Sequence, residues 1–160
     1  FMHCDMKSLN YLVTADYKAK LADLGDCRSS SEEKNDLMSI NLPSRNWAPP
    51  ELLEPNADIF NGYTAASDVY GLGIVLSEIV NIRMPFADIF TNMSSDEWYH
   101  NIIKEDFRPI LEEESGIPLP VLDMIKKCWV TNPAYRCTAQ DMLEVLEIAS
   151  EWSKNELKQQ

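Results

Sequence analysis

The chain is predicted to be mainly α-helical, with one small β-hairpin near its start. Three observations carry this. Residues 67–81, SDVYGLGIVLSEIVN, are apolar nearly all round and too long for a strand, which marks a helix buried on most faces. Met142, Val145, Leu146, Ala149 and Trp152 recur at helical spacing and form one apolar face. Residues 9–13 and 18–22 look like two short strands joined by Thr14-Ala15-Asp16-Tyr17 as a turn, a hairpin pattern.

The remaining elements follow in order. From 26 to 45 the composition turns polar, with Ser29, Ser30, Ser31, Glu32, Glu33 and Lys34, and reads as a long loop. Loops of that length in a compact domain are usually functional or disordered. Ser94 with Glu97 forms a capping-box signature that opens a helix through about Lys104. Residues 118–130 read as a further helix, and Thr138 can cap the last one. Beyond Ser153 the sequence is polar and is expected to fray. No internal repeat and no domain boundary is visible.

Composition excludes some functions. The net charge of −12 argues against nucleic acid or an anionic membrane surface as an electrostatic partner. There is no signal peptide and no apolar run of membrane-spanning length. The four cysteines, Cys4, Cys27, Cys128 and Cys137, show no C-x-x-C spacing, and neither histidine stands at metal-ligand spacing to them. Free thiols in a reducing, cytoplasmic compartment are the expectation.

Three ordered motifs carry chemistry. His3-Cys4-Asp5-Met6-Lys7-Ser8-Leu9-Asn10 has the spacing of H-R-D-L-x-x-x-N. Asp23-Leu24-Gly25 reads as a D-F-G variant, and Pro49-Pro50-Glu51 as a variant of A-P-E. Singly, each Asp or Lys here is an ordinary surface residue; in this order and spacing the chain resembles the protein kinase family. The fold class implied is a kinase-like helical C-lobe with a small β-hairpin, truncated at the catalytic loop. Residues 1–153 are then a partial kinase domain, with the catalytic loop at 3–10, the activation segment at 23–51 and the helical lobe at 52–153; 154–160 are a polar tail.

The resemblance implies roles. Asp5 corresponds to the aspartate that orients the acceptor hydroxyl, and Lys7 to the lysine that contacts the transferred phosphate. Asn10 and Asp23 correspond to the Mg²⁺ ligands, whose oxygens suit that hard cation. Leu12 corresponds to the apolar residue under the adenine ring of ATP. Lys7 and Ser44 match serine/threonine kinases, and Cys128-Trp129 with 132–136 resemble their tyrosine-kinase-like group. His3 belongs to the catalytic-loop motif. Asp68 matches the helix aspartate that anchors the catalytic loop, and Glu51 with Arg136 match a buried ion pair. ATP, Mg²⁺ and a protein substrate are the implied partners, in intracellular signal transduction.

Several positions depart from the pattern. Cys4 replaces the arginine that receives an activation-loop phosphate, so control by phosphorylation at serines 29, 30, 31 or 39 is not expected. Leu24 for phenylalanine is a functional variant; Pro49 for alanine and Cys137 for proline fall at structural positions. Gly71-Leu72-Gly73 lacks a third glycine, lies inside an apolar helix, and reads as close packing rather than a phosphate loop. The glycine-rich loop, the strand lysine and its glutamate are not in the chain, and Phe1 is not a start methionine. A fragment or incomplete gene model is therefore the expectation, inactive alone and aggregation-prone through apolar residues left uncovered on helix 67–81. A pseudokinase or scaffold, and a truncated non-functional product, are the competing readings.

Overall fold

The structure, a computed structural model, describes residues 1–29, 44–53, 62–87, 93–112 and 116–157, with Ser95 and 152–157 described by backbone alone. The elements are β1 (Tyr11–Val13), β2 (Ala19–Leu21), α1 (Pro50–Leu53), α2 (Ala65–Asn81), α3 (Ser95–Ile103), α4 (Leu119–Cys128) and α5 (Ala139–Leu157). The predicted mainly helical fold with one hairpin is the fold observed. Most of the predicted long loop, including Ser30, Ser31 and Ser39, lies outside the described residues, as does the side chain of Trp152.

The hairpin pairs Tyr11 with Leu21, Leu12 with Lys20 and Val13 with Ala19, antiparallel. Its turn closes where Thr14 N–H donates to the Lys18 carbonyl at 2.9 Å and Lys18 N–H donates to Thr14 Oγ1 at 3.0 Å. β1 begins two residues later than its apolar pattern suggests. Asn10 N–H donates back to the Lys7 carbonyl at 3.0 Å, and Ser8–Asn10 thereby form a 3-10 turn.

α2 is the axis of the lobe and begins two residues before its predicted start. At its N-terminus Thr64 N–H donates to Ser67 Oγ at 3.2 Å, which satisfies an amide just outside the helix. Tyr70, Ile74 and Val75 from α2 join Trp47, Phe86, Trp98, Ile102, Val121, Ile125 and Trp129 in the main core. Val69 joins Met124, Cys128 and Met142 in a second cluster. Each fully buried large aliphatic contributes about 1.5–3 kcal/mol.

The two α2 glycines explain how closely the helix is approached. A β-carbon on Gly73 would lie 2.5 Å from Cys128 Cβ on α4, and one on Gly71 would lie 2.8 Å from Met6 Cβ and 2.9 Å from the Met6 carbonyl. The glycine pair is a packing feature, as its place in an apolar helix implies.

The capping expectations for the later helices also hold. Glu97 N–H donates to Ser94 Oγ at 3.3 Å, and Ser94 N–H donates to Glu97 Oε2 at 2.8 Å. Asp141 N–H donates to Thr138 Oγ1 at 3.1 Å, and Thr138 N–H donates to Asp141 Oδ2 at 2.7 Å. Helix α5 runs to Leu157, past Ser153, because Lys154, Asn155 and Glu156 are polar without being helix breakers.

The uncovered apolar surface extends beyond the helix on which it was expected. On α2, Val69, Tyr70, Ile74 and Val75 are buried within the chain itself, whereas Ile79 is exposed. Large apolar residues are also exposed on and beside the hairpin, at Leu9, Leu12, Val13 and Leu24, and just after α2 at Ile82 and Met84.

Candidate active site

The segment 3–10 hangs on α2 through one carboxylate. Asp68, in the first turn of α2, accepts His3 N–H on Oδ2 at 2.6 Å and Cys4 N–H on Oδ1 at 3.1 Å. Tyr63 donates its hydroxyl to Asp68 Oδ1 at 2.7 Å. Burial, and then the Asp68 charge, push the Tyr63 phenol far up, so it stays a donor. His3 Nε2 lies 2.9 Å from the Ala22 carbonyl while its Nδ1 faces the Asp5 N–H at 3.4 Å. The Nε2–H tautomer serves both contacts, and it ties segment 3–10 to the residues just before Asp23.

Asp5 is the hub of the polar groups. Its Oδ2 receives Lys7 Nζ in a short ion pair and Asn10 Nδ2 at 3.2 Å; its Oδ1 receives the Ser44 hydroxyl at 3.2 Å. Asn10 Nδ2 also donates to the Asp5 carbonyl at 2.8 Å. Burial acts to raise the Asp5 pKa, but the Lys7, Asn10 and Ser44 contacts together outweigh it and hold the carboxyl below its ordinary value. Asp5 is therefore ionised at neutral pH. The spacing of Asp5, Lys7 and Asn10, and a Ser44 far away in sequence, converge on one carboxylate.

The residues expected to face Mg²⁺–ATP fit that group. Asn10 spends its amide nitrogen on Asp5, and among the described residues its oxygen has no protein donor. Asp23 sits in the left-handed region at φ 61°, and its carboxylate makes no hydrogen bond with a described residue. No cluster of three or more His, Cys, Asp or Glu residues that could hold a metal occurs among the described residues. One or two protein oxygens, completed by phosphate and water, is the habit of Mg²⁺. Leu12 lies on β1 and is 58% exposed.

Glu51 and Arg136 form the expected ion pair. Arg136 Nη1 donates to Glu51 Oε1 and Nη2 to Oε2, both at 2.7 Å, a bidentate fork. The other three N–H groups go to carbonyls of Ala66 at 3.0 Å, Val130 at 2.8 Å and Thr131 at 3.1 Å. Ser67 Oγ donates to Glu51 Oε1 at 3.1 Å, and the guanidinium stands 5.0 Å over the Tyr70 ring. All five guanidinium donors are used, which is what a buried charge requires.

The protein kinase domain family model matches residues 1–146. The chain belongs to the protein kinase family. It is 32% identical over 151 residues to a probable LIM domain-containing serine/threonine-protein kinase of Dictyostelium discoideum, covering 94% of the chain and 21% of that relative. It is 29% identical over 154 residues to the dual specificity protein kinase shkC of the same organism, with 92% and 27% covered. It is 30% identical over 149 residues to the mast/stem cell growth factor receptor Kit of Canis lupus familiaris, with 91% and 14% covered. The kinase chain thus spans about a quarter or less of the length of these relatives.

Three residues outside the motifs, Glu78, Tyr63 and Arg108, also brace the kinase lobe. Glu78 of α2 accepts the Ser8 hydroxyl at 3.0 Å and the Trp47 indole N–H at 2.8 Å. Burial raises its pKa against the pull of those two bonds. Tyr63 supports Asp68, and Arg108 donates to the Trp129 carbonyl at 2.8 Å and to Thr131 Oγ1 at 2.9 Å. A carboxylate inside the apolar run 67–81 was the only sequence signal for Glu78; Tyr63 and Arg108 offered none. Cys4 is buried at φ 69°, and burial followed by the Asp68 charge pushes its thiol up to about 12, so it is an inert structural thiol.

Proposed function

We propose that the protein is an ATP- and Mg²⁺-dependent serine/threonine protein kinase of the tyrosine-kinase-like group, acting in cytoplasmic signalling. One observation carries this reading. A carboxylate offers about four lone-pair sites. Lys7, Asn10 and Ser44 occupy three of those on Asp5, two on Oδ2 and one on Oδ1. The site left on Oδ1 suits the hydroxyl of an acceptor side chain.

The roles follow from that geometry. Asp5 orients the acceptor hydroxyl and takes its proton late, because a carboxylate held below its ordinary pKa is a weak base. A loose transition state needs positioning more than strong basicity. Lys7 is set to meet negative charge on the transferred group. Asn10 and Asp23 offer the protein oxygens for the cation. Bound Mg²⁺–ATP supplies the electrophilic phosphoryl group. Leu12 presents the apolar surface for the base.

The acceptor class rests on Lys7 and Ser44, which both engage Asp5. The relatives' names include both serine/threonine and dual specificity kinases and leave that class open. The four cysteines, all free thiols, support a reducing compartment. Residues 1–160 alone are proposed to transfer no phosphate, since no glycine-rich loop or strand lysine stands in this sequence.

The test is to give the full-length protein ATP–Mg²⁺ and matched peptides that differ only in a Ser, Thr or Tyr acceptor. Phosphate on Ser or Thr is the expected result. Phosphate on Tyr alone overturns the acceptor class. A folded protein that transfers none overturns the enzyme and leaves a scaffold.

A further inference from the structure

Cys128 closes α4 and Cys137 immediately precedes the cap of α5, and their Sγ atoms lie 3.4 Å apart. The backbones run close as well, with Cys137 N–H donating to the Lys127 carbonyl at 3.4 Å. Cys128 is completely buried, whereas Cys137 is half-buried. The two cysteines are therefore unlike in burial while their sulfurs are in van der Waals contact.

The segment between them matters to the lobe. It contains the Val130 and Thr131 carbonyls that hold the Arg136 guanidinium, and Arg136 itself, the anchor of Glu51. We propose that Cys128 and Cys137 form a reversible disulfide in response to hydrogen peroxide, stapling the segment that holds Arg136.

The chemistry balances with the peroxide as oxidant. Cys137 Sγ attacks one peroxide oxygen; an S–O bond forms, the O–O bond breaks, and the departing oxygen leaves as water with the thiol proton. Cys128 Sγ then displaces the sulfenic oxygen; the S–S bond forms, the S–O bond breaks, and a second water leaves with the Cys128 proton. Two thiols are oxidised and one peroxide is reduced to two waters. A dithiol reductant reverses the bond by exchange.

The order of the two steps follows from the environments. Burial first, and then the neighbouring Cys137, push the Cys128 thiol far above the ordinary cysteine range. It is thus a poor first nucleophile and serves as the resolving thiol. A disulfide needs an S–S distance of about 2.05 Å, so side-chain rotation has to close roughly 1.4 Å. Cys27 lies elsewhere, beside the 3-10 turn that follows Asp23, and offers an internal comparison.

The experiment treats the folded full-length protein with dilute hydrogen peroxide, blocks remaining thiols, digests without reductant and maps the linked peptides. The expected result is a Cys128–Cys137 linked peptide that disappears on dithiothreitol treatment, persists in Cys27→Ser and is lost in Cys137→Ser. Peroxide that leaves both residues as blocked thiols overturns the proposal. So does conversion of Cys137 to higher acids with Cys128 still reduced. Both readouts come from the unaltered protein and stand even if a variant fails to fold.

Discussion

The Asp68 carboxylate accepts the backbone N–H of His3 at 2.6 Å, and with its second oxygen the N–H of Cys4 at 3.1 Å. A side chain at the start of α2 thus sets the path of the loop that carries Asp5. Asp68→Asn keeps the shape but turns an NH₂ toward one of these donors. Leaving a buried donor unpaired costs about 1–3 kcal/mol. Denaturant unfolding of the variant is expected to show a loss of that size. An unchanged midpoint would contradict the anchoring role.

Arg136 is expected to matter for folding more than for chemistry. Its side chain is 0% exposed, and all five N–H groups have acceptors. Arg136→Ala strands Glu51 and should cost about 3–5 kcal/mol. Arg136→Lys should also lose much of this, because an ammonium cannot reproduce the fork. Thermal melts of both variants check it; an unshifted Arg136→Ala protein would show that the pair carries no weight.

Gly71→Ala sets helix propensity against space. Alanine gains about 1 kcal/mol in a helix interior. Its methyl would meet the Met6 carbonyl at 2.9 Å, a backbone atom with little freedom to yield. Overpacking of this kind costs about 1–3 kcal/mol, so the clash is expected to win. The displaced Met6 neighbours Asp5, and kinase activity should fall with stability. A more stable, fully active Gly71→Ala protein would mean that the approach is looser.

The helices were legible because their signals are local. Ser94 with Glu97, and Thr138, announce their own caps, and the 67–81 run announces a buried helix. The start of β1 was not legible, since Leu9 has the same apolar character in a 3-10 turn as in a strand. Nor was the exposed apolar surface of the hairpin, because which face of an element finds cover is decided by packing. At the site, the meeting of Lys7, Asn10 and Ser44 at Asp5 was readable from motif spacing. Glu78 has partners far along the chain, and Tyr63 reaches Asp68 from just outside the helix; no pattern marks either.

The depressed pKa of Asp5 has a definite sign in acid. A carboxyl with a folded pKa below its unfolded value, about 3.9, contributes stability that is fully present above that value. The contribution is lost as pH falls through the folded pKa. Asp5 should thus add no pH dependence between pH 5 and 8 and should steepen the acid limb. Melting temperature against pH, compared with Asp5→Asn, measures this. Parallel acid limbs would contradict the Lys7, Asn10 and Ser44 assignment.

The most direct measurement is phosphate transfer from ATP–Mg²⁺ by the full-length protein beside its Asp5→Asn variant, with both shown to be folded. Asparagine preserves the shape yet cannot take the acceptor proton, and general-base losses are about 10²–10⁴-fold. A drop of that size in kcat, with ATP affinity retained, is the result this account predicts. An Asp5→Asn protein as active as its parent would contradict it.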